Sequence, residues 1–383
     1  MNFRYLTEYL DSLPGKLCAP GVDCKIMYKN EEVYRHSSGW FDMENNIPVK
    51  RDAQYYIYST TKPLTCTTAL TLYEKGKFLL SDPLYEYMPQ FRDMYVKHYN
   101  EDGSFSIKKA ENPIRIVDLF TMSAGFCYNI EYDSIKEIRR KTDGKCPTLQ
   151  TVEALAAEPL EFEPGTHFTY SLCHDILGGL IEVISGKKLG EYMKETVFEP
   201  LGMNSTGFTT EDEQRLATLY HYNDAEQKPV RTEKKCIYKL GSEYESGGAG
   251  LISTVDDYMK FLECLCHGGN TPDGENIISK STIELMRTNH LDDIRLKDFW
   301  QGNQLHRIGY GYGLGVRTMI DPVMGGINGS FKEFGWPGAG GAYNIIDPER
   351  ELSVFFTQHM TGMNVLWKVH PRLRNIIYSC LDK

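Results

Sequence analysis

Ser59 and Lys62 stand three residues apart in Tyr58-Ser59-Thr60-Thr61-Lys62-Pro63. A serine hydroxyl is a poor nucleophile until a neighbouring base takes its proton. On a helix, a spacing of three puts both side chains on one face, roughly 5–6 Å apart at Cβ. Ser59 at a helix N-terminus would also meet unpaired N–H groups and a dipole that favour developing negative charge. Pro63 fits there because first-turn N–H groups lack intrahelical acceptors. The same Ser-x-x-Lys pattern recurs at Ser106/Lys109 and Ser185/Lys188. Ser106 lies in a polar, Lys-rich stretch, and Ser185 closes an amphipathic helix before Gly186, so both are read as coincidence. Ser59 instead joins the aromatic run Tyr55, Tyr56, Tyr58 to a Thr-, Ala- and Leu-rich helix reaching about Gly76. On spacing alone, an ordinary N-cap serine is the competing reading.

The elements that must position this pair follow from pattern. Residues 3–12 read as a helix ended by Pro14-Gly15. Cys24–Tyr28 and Glu32–His36 read as a hairpin across Lys29-Asn30-Glu31. Residues 81–145 are polar and irregular apart from a buried segment, 116–125. A helix at 149–157 ends at Glu158-Pro159. Ile176, Leu177, Leu180, Ile181 and Ile184 have helical spacing, with Gly186 as the stop. A further helix is expected near 190–197, then a polar surface excursion over 209–240. Ser246–Gly250 is a flexible loop, after which Thr254 caps a helix ending at Gly268-Gly269, and Ser281 with Glu284 suggests a capping box. Strands are expected at 310–319, 343–346 and 352–356, the last two joined by Asp347–Arg350, with a terminal amphipathic helix at 366–381. Strands at both ends of the chain with helices between them imply an α+β fold. The expected sheet is antiparallel, built from both chain ends and flanked by helices. Residues 1–80 and 240–383 would form that sheet unit, and 81–239 an inserted, mainly helical region.

Bulk composition narrows the function classes. The chain has 383 residues, 41% apolar and 12% aromatic, enough for a sizeable core. A net charge of −10 argues against nucleic acid or an anionic membrane as the main partner. No run approaches the roughly 18 apolar residues of a membrane span, and the N-terminus lacks the apolar core of a signal peptide, so a cytoplasmic location is expected. The ten cysteines form no paired C-x-x-C knuckles and are read as free, buried thiols. Cys264-x-Cys266-His267 is read as core-facing helix residues rather than a metal site. No phosphate loop, nucleotide fingerprint or metal constellation stands out, so neither cofactor nor metal is expected.

Several further segments, in order, carry a resemblance. They are Asp118-Leu-Phe-Thr-Met-Ser-Ala-Gly125, Pro164-Gly-Thr-His-Phe-Thr-Tyr170-Ser, Leu177-Gly-Gly-Leu-Ile-Glu182, Pro200-Leu-Gly-Met203, Gly248-Ala-Gly-Leu-Ile-Ser-Thr254 and Gly338-Ala-Gly-Gly-Ala-Tyr-Asn-Ile-Ile-Asp-Pro348. With Ser59-Thr-Thr-Lys62-Pro, they resemble the serine β-lactamase-like hydrolases: class C β-lactamases, DD-peptidases and related esterases. The resemblance covers nearly the whole chain and implies their fold and acyl-enzyme chemistry. It implies a catalytic Tyr-x-Asn motif at Tyr170-Ser171-Leu172; Tyr28-Lys29-Asn30, in the first hairpin, is read as chance. A phenol titrates near pH 10 in water, and a neighbouring ammonium favours its ionised form. Tyr170 and Lys62 would then share proton transfer to and from Ser59 and the leaving group. The Lys/His-Thr-Gly position of the family falls on Trp336-Pro337-Gly338, and the N–H groups of Ser59 and Ala339 would form the oxyanion hole. His359-Met-Thr-Gly362 lies too far along to fill that role.

Two departures bear on the substrate. Leu172 replaces the amide-bearing Asn, and Trp336 replaces the cation that meets a substrate carboxylate. One charge-assisted hydrogen bond is worth about 1.5–3 kcal/mol, so β-lactams and D-Ala-D-Ala peptides lose an anchor. The family's esterases resemble this chain in having Trp near that position and no Asn. The expected function is a carboxylesterase on small or medium acyl esters. The alternatives are a peptidase or amidase for D-amino-acid or modified peptides, or an acyltransferase; a β-lactamase and a non-catalytic binding protein rank below them. Trp336, Gly338, Leu172 and Tyr128 are the expected substrate-binding residues. His174, one helical turn past Tyr170, is read as structural, with the pocket as the alternative.

Overall fold

A two-residue turn starts the sheet that carries the site. Lys29 and Asn30 both have positive φ (53° and 63°), the turn geometry whose twist matches that of paired strands. The hairpin expected across three residues is thus tighter, and its strands are longer: Gly21–Tyr28 (β1) and Glu31–Asp42 (β2). The computed structural model describes residues 1–233, 236–301, 305–362 and 365–382. Further strands follow at Ile47–Pro48 (β3), Tyr310–Tyr312 (β4), Arg317–Met319 (β5), Phe334–Gly335 (β6), Tyr343–Asp347 (β7) and Leu352–Gln358 (β8). They form one eight-stranded sheet in the order β4-β5-β6-β7-β8-β1-β2-β3, with antiparallel pairing throughout. Both chain ends supply it, as the strand pattern implied. The span 310–319, expected as one strand, breaks at Gly313–Val316, where Gly315 has φ +84°.

Every residue of β8 is buried, and alternate side chains serve two cores, as a pleated strand requires. Leu352, Val354 and Phe356 join Cys24, Ile26, Leu6, Leu10, Leu373 and Ile377 beneath the two terminal helices. Phe355 points to the opposite core, with its ring 4.5 Å from that of Tyr258. The first helix, Arg4–Lys16 (α1), runs past Pro14 instead of stopping there. Pro14 leaves the Leu10 carbonyl without the i−4 N–H an ordinary residue would supply, and the helix ends two residues later. The C-terminal helix is divided into Val365–Lys368 and His370–Leu381.

The helix Thr61–Glu74 (α2) is buried on all sides from Thr61 to Leu72. Its buried threonines include Thr65 and Thr68, whose hydroxyls donate to backbone carbonyls, and α2 packs on Cys173–Ser185 (α3). That helix starts at Cys173, earlier than its apolar spacing suggested, and ends at Gly186 in the left-handed conformation. The 81–145 region holds an exposed hairpin, Tyr95–Tyr99 with Phe105–Lys109, so Ser106 and Lys109 lie in solvent away from α2. Residues 209–240 do more than cover the surface. Leu216, Ala217, Leu219, Tyr220, Cys236 and Leu240 are buried, and Tyr220–Asn223 pairs with Met360–Thr361. Long polar stretches on either side of the short run Leu216–Tyr220 hid this contribution. Thr254 caps Val255–Cys266 (α4) through the Asp257 N–H at 3.0 Å, as expected. The later cap is Ser279, accepting from Thr282 at 3.2 Å, rather than Ser281.

Candidate active site

Ser59 is the middle residue of a single 3-10 turn, Tyr58–Thr60, that runs directly into α2. Its N–H belongs to the first turn and has no intrahelical acceptor. Tyr58, just before it, has φ +48°, a conformation a bulky residue holds only when its surroundings impose it. Those surroundings are Tyr238, edge-on to the Tyr58 ring at 6.2 Å, and Gly340, where a Cβ would come within 2.9 Å of that ring.

Lys62 is fully buried. Its Nζ lies 3.4 Å from Ser59 Oγ and donates to the Gly248 carbonyl at 2.7 Å. The ammonium faces two rings, with centroids 4.5 Å away in Tyr170 and 5.2 Å away in Tyr128, both within cation–π range. Tyr170 is stacked between Tyr128 (5.3 Å, 24°) and Trp336 (5.5 Å, 29°), and its hydroxyl accepts from Trp336 Nε1 at 3.3 Å. The structure therefore gathers Ser59, Lys62, Tyr170, Tyr128 and Trp336 into one cluster.

The wall carrying Trp336 is set by Asn344. Its Oδ1 accepts from the Trp336 N–H at 3.0 Å, and its Nδ2 donates to the Trp336 carbonyl at 2.9 Å. Arg317 in turn donates to the Asn344 carbonyl at 3.0 Å. Gly335 must be glycine because a Cβ there would fall 2.2 Å from Asn344 Oδ1. Beyond Trp336 the chain folds tightly, with Gly338 N–H donating to Ala342 and Gly341 N–H to Gly338. This brings Ala339 to the surface of a groove of about 630 Å³ lined also by Tyr58, Leu219, Ile237 and Tyr238. Leu172 does not line that groove. It is 3% exposed and packs in the main core two residues past Tyr170.

Under Lys62 lies a carboxylate the sequence pattern did not single out. Asp175 is buried, and its Oδ1 accepts from the Ser246 hydroxyl at 2.6 Å and the Tyr244 hydroxyl at 3.0 Å. Burial pushes its carboxyl pKa up, while Ser246 and the Lys62 charge act against that rise. A Cβ on Gly248 would stand 2.5 Å from Asp175 Oδ2 and 3.2 Å from the Tyr128 hydroxyl. The glycines of Ser246–Gly250 are there to press this loop onto α3 and aim a carbonyl at Lys62. An acidic residue in the first turn of α3 was the available signal, but it reads equally as a helix-dipole partner.

His174 is structural. It is fully buried, its Nε2 meets the Phe120 carbonyl at 3.1 Å, and burial lowers its pKa to about 3. His359 is likewise enclosed by the Thr218 and Trp40 carbonyls. All ten cysteines are free, and eight are buried. Glu263 and Cys266 on α4 and His267 just past its end place one ligand atom each within 4.8 Å of one another, far along the chain from the Ser59 cluster. No helix among the described residues is long and apolar enough to cross a membrane.

Comparisons with known proteins agree with this architecture. A family model described as Beta-lactamase matches residues 6–377. Protein Rv1367c of Mycobacterium tuberculosis is 30% identical over 350 residues, 89% of this chain and 84% of its own. Esterase EstB of Burkholderia gladioli is 25% identical over 383 residues, 94% and 91% of the two chains. Among solved structures, EstCE1, described as a hydrolase with promiscuous acyltransferase activity, superposes with a TM-score of 0.77 at 25% identity, over 97% of each chain. With the fold, the motif order and near-complete coverage in agreement, the chain belongs to the beta-lactamase family and is a serine hydrolase.

Proposed function

We propose that this protein is a carboxylesterase for small or medium acyl esters, working through an acyl-enzyme on Ser59. The observation that carries the proposal is Lys62, held by the Gly248 carbonyl within 3.4 Å of Ser59 Oγ and against the Tyr170 ring. In this reading Tyr170 acts as the phenolate beside the Lys62 ammonium and takes the Ser59 proton as Oγ attacks the ester carbonyl. The resulting oxyanion is met by the N–H groups of Ser59 and Ala339, each such donor being worth about 3–4 kcal/mol in the transition state. Collapse expels the alcohol, which receives the proton from Tyr170 or Lys62. Water then attacks the acyl-enzyme, returning the proton to Ser59 and releasing the acid. Trp336, Gly338 and Tyr128 serve as walls for the substrate. The aromatic surface of Trp336, Tyr170 and Tyr238 suits the carbon skeleton of an acyl or alcohol group.

A second acceptor is supported by the groove beside Ala339. An alcohol bound there in place of water would turn hydrolysis into acyl transfer, and the description of EstCE1 supports that side reaction. A peptidase or amidase for D-amino-acid peptides keeps the same steps with an amine leaving group. Residues 1–80 with 240–383 are taken as the sheet unit and 81–239 as the insertion bringing Tyr170. The unpaired cysteines fit a reducing, cytoplasmic setting.

The test is initial rates of wild type and Ser59→Ala on short and medium p-nitrophenyl esters, a D-alanyl p-nitroanilide and nitrocefin. Ester turnover that vanishes in Ser59→Ala is the expected result. Turnover of the anilide alone would replace the esterase reading with a peptidase, and fast nitrocefin hydrolysis would refute the argument from Trp336.

A further inference from the structure

Arg307 closes a short turn, Leu305–Arg307, and lies against the aromatic wall of the candidate site. Its guanidinium carbon is 5.0 Å from the Phe299 ring centroid, 5.6 Å from Trp336 and 6.0 Å from Tyr170. Lys62 stands 4.5 Å from that same Tyr170 ring, so both cations are grouped around one phenol. Among the described residues Arg307 has no carboxylate partner and no hydrogen-bond acceptor, whereas Arg35, Arg115, Arg231, Arg287, Arg295 and Arg350 each pair with an acid. The residue is half-buried. Burial lowers its pKa to about 10, which leaves it cationic at neutral pH.

Such a cation is costly to keep without an anion. Taking a charge partly out of water is repaid only by a counter-charge and hydrogen bonds, and ring faces offer only part of that. Arginine held by stacking keeps a planar fork of donors at its edge, the geometry that grips a carboxylate through two bonds. Trp336, one of the rings Arg307 lies against, brings no charge of its own to this cleft.

We infer that Arg307 is a carboxylate-recognition subsite, and that the preferred substrates are esters bearing a free acid group on the acyl or the alcohol side. The inference rests on the esterase reading for its kinetic form, and on geometry alone for binding. It changes the substrate class from purely apolar esters to amphiphilic half-esters: an aromatic wall for the carbon skeleton, with a charge at its far edge.

The experiment compares wild type, Arg307→Gln and Arg307→Lys on p-nitrophenyl butyrate, mono-p-nitrophenyl glutarate and 3-butyryloxybenzoate. The readout is the ratio of kcat/KM for each acid-bearing ester over the neutral one. A charge-assisted pair lost in Arg307→Gln lowers one of these ratios by about tenfold to a hundredfold, with partial retention in Arg307→Lys. Whichever ratio falls identifies the side that carries the acid. In parallel, quenching of tryptophan fluorescence is titrated with benzoate and with benzamide. Benzoate binding more tightly than benzamide in wild type, but equally in Arg307→Gln, is expected whether or not any ester is turned over. Failure of the esterase reading would therefore appear as absent turnover with this binding difference intact. Ratios within twofold of wild type together with equal binding of the two ligands would overturn the subsite.

Discussion

Asn344→Ala tests whether the sheet positions the site. Asn344 is fully buried and clamps Trp336 with two hydrogen bonds, one to each backbone group. Each such bond contributes about 1 kcal/mol net, and a buried N–H left without an acceptor costs about 1–3 kcal/mol more. The Trp336 carbonyl keeps a long contact from the Thr60 hydroxyl at 3.4 Å, but the Trp336 N–H keeps nothing comparable. The substitution should therefore remove about 3 kcal/mol, a large part of a total stability of about 5–15 kcal/mol. Because Trp336 holds the Tyr170 hydroxyl and leads to Ala339, kcat/KM for a p-nitrophenyl ester should also fall, by tenfold or more, at a temperature where the variant is fully folded. Urea unfolding followed by tryptophan fluorescence, with rates on the same preparation, measures both. A loss below about 1 kcal/mol with unchanged kinetics would refute the view that this side chain fixes the wall.

Gly248→Ala should lower kcat/KM about a hundredfold, with a stability loss of about 1–3 kcal/mol from overpacking. The new Cβ would stand 2.5 Å from Asp175 Oδ2, moving the carbonyl that holds Lys62, and wild-type rates in the variant would show that this contact does not matter. Burial lowers His174 and His370 to a pKa of about 3 and His359 to about 4. The unfolded chain takes up these protons below about pH 6.5, while the folded protein resists until pH 3–4, so stability should fall as pH drops through that window. Each histidine contributes about 1.4 kcal/mol per pH unit there. Unfolding free energies at pH 7.5, 6.5, 5.5 and 4.5 would check this, and a flat profile would count against it.

Much of the site was legible in the sequence because its residues are close in sequence or bound to local geometry. Ser59 and Lys62 share a helical turn, and that spacing alone places them on one face. The two-ended sheet was readable because strands β1, β7 and β8 have enough apolar alternation to declare themselves. The exposed hairpin at 95–109 and the broken strand at 310–319 were not, since short strands beside polar or glycine-rich turns leave weak periodicity.

Tertiary structure decided the rest. Nothing local connects Asp175 to Gly248 or Tyr238 to Tyr58; packing of distant segments creates both pairs. Leu172, expected on the substrate wall, was turned into the core because its side chain lies on the buried face where α3 begins. Arg307 is the sharpest case. Its sequence neighbourhood says nothing about a binding role, and the replacement at Trp336 suggested that the cleft had lost its cation. A charge acts through space rather than along the chain, so a guanidinium from a separate turn can restore what position 336 gave up.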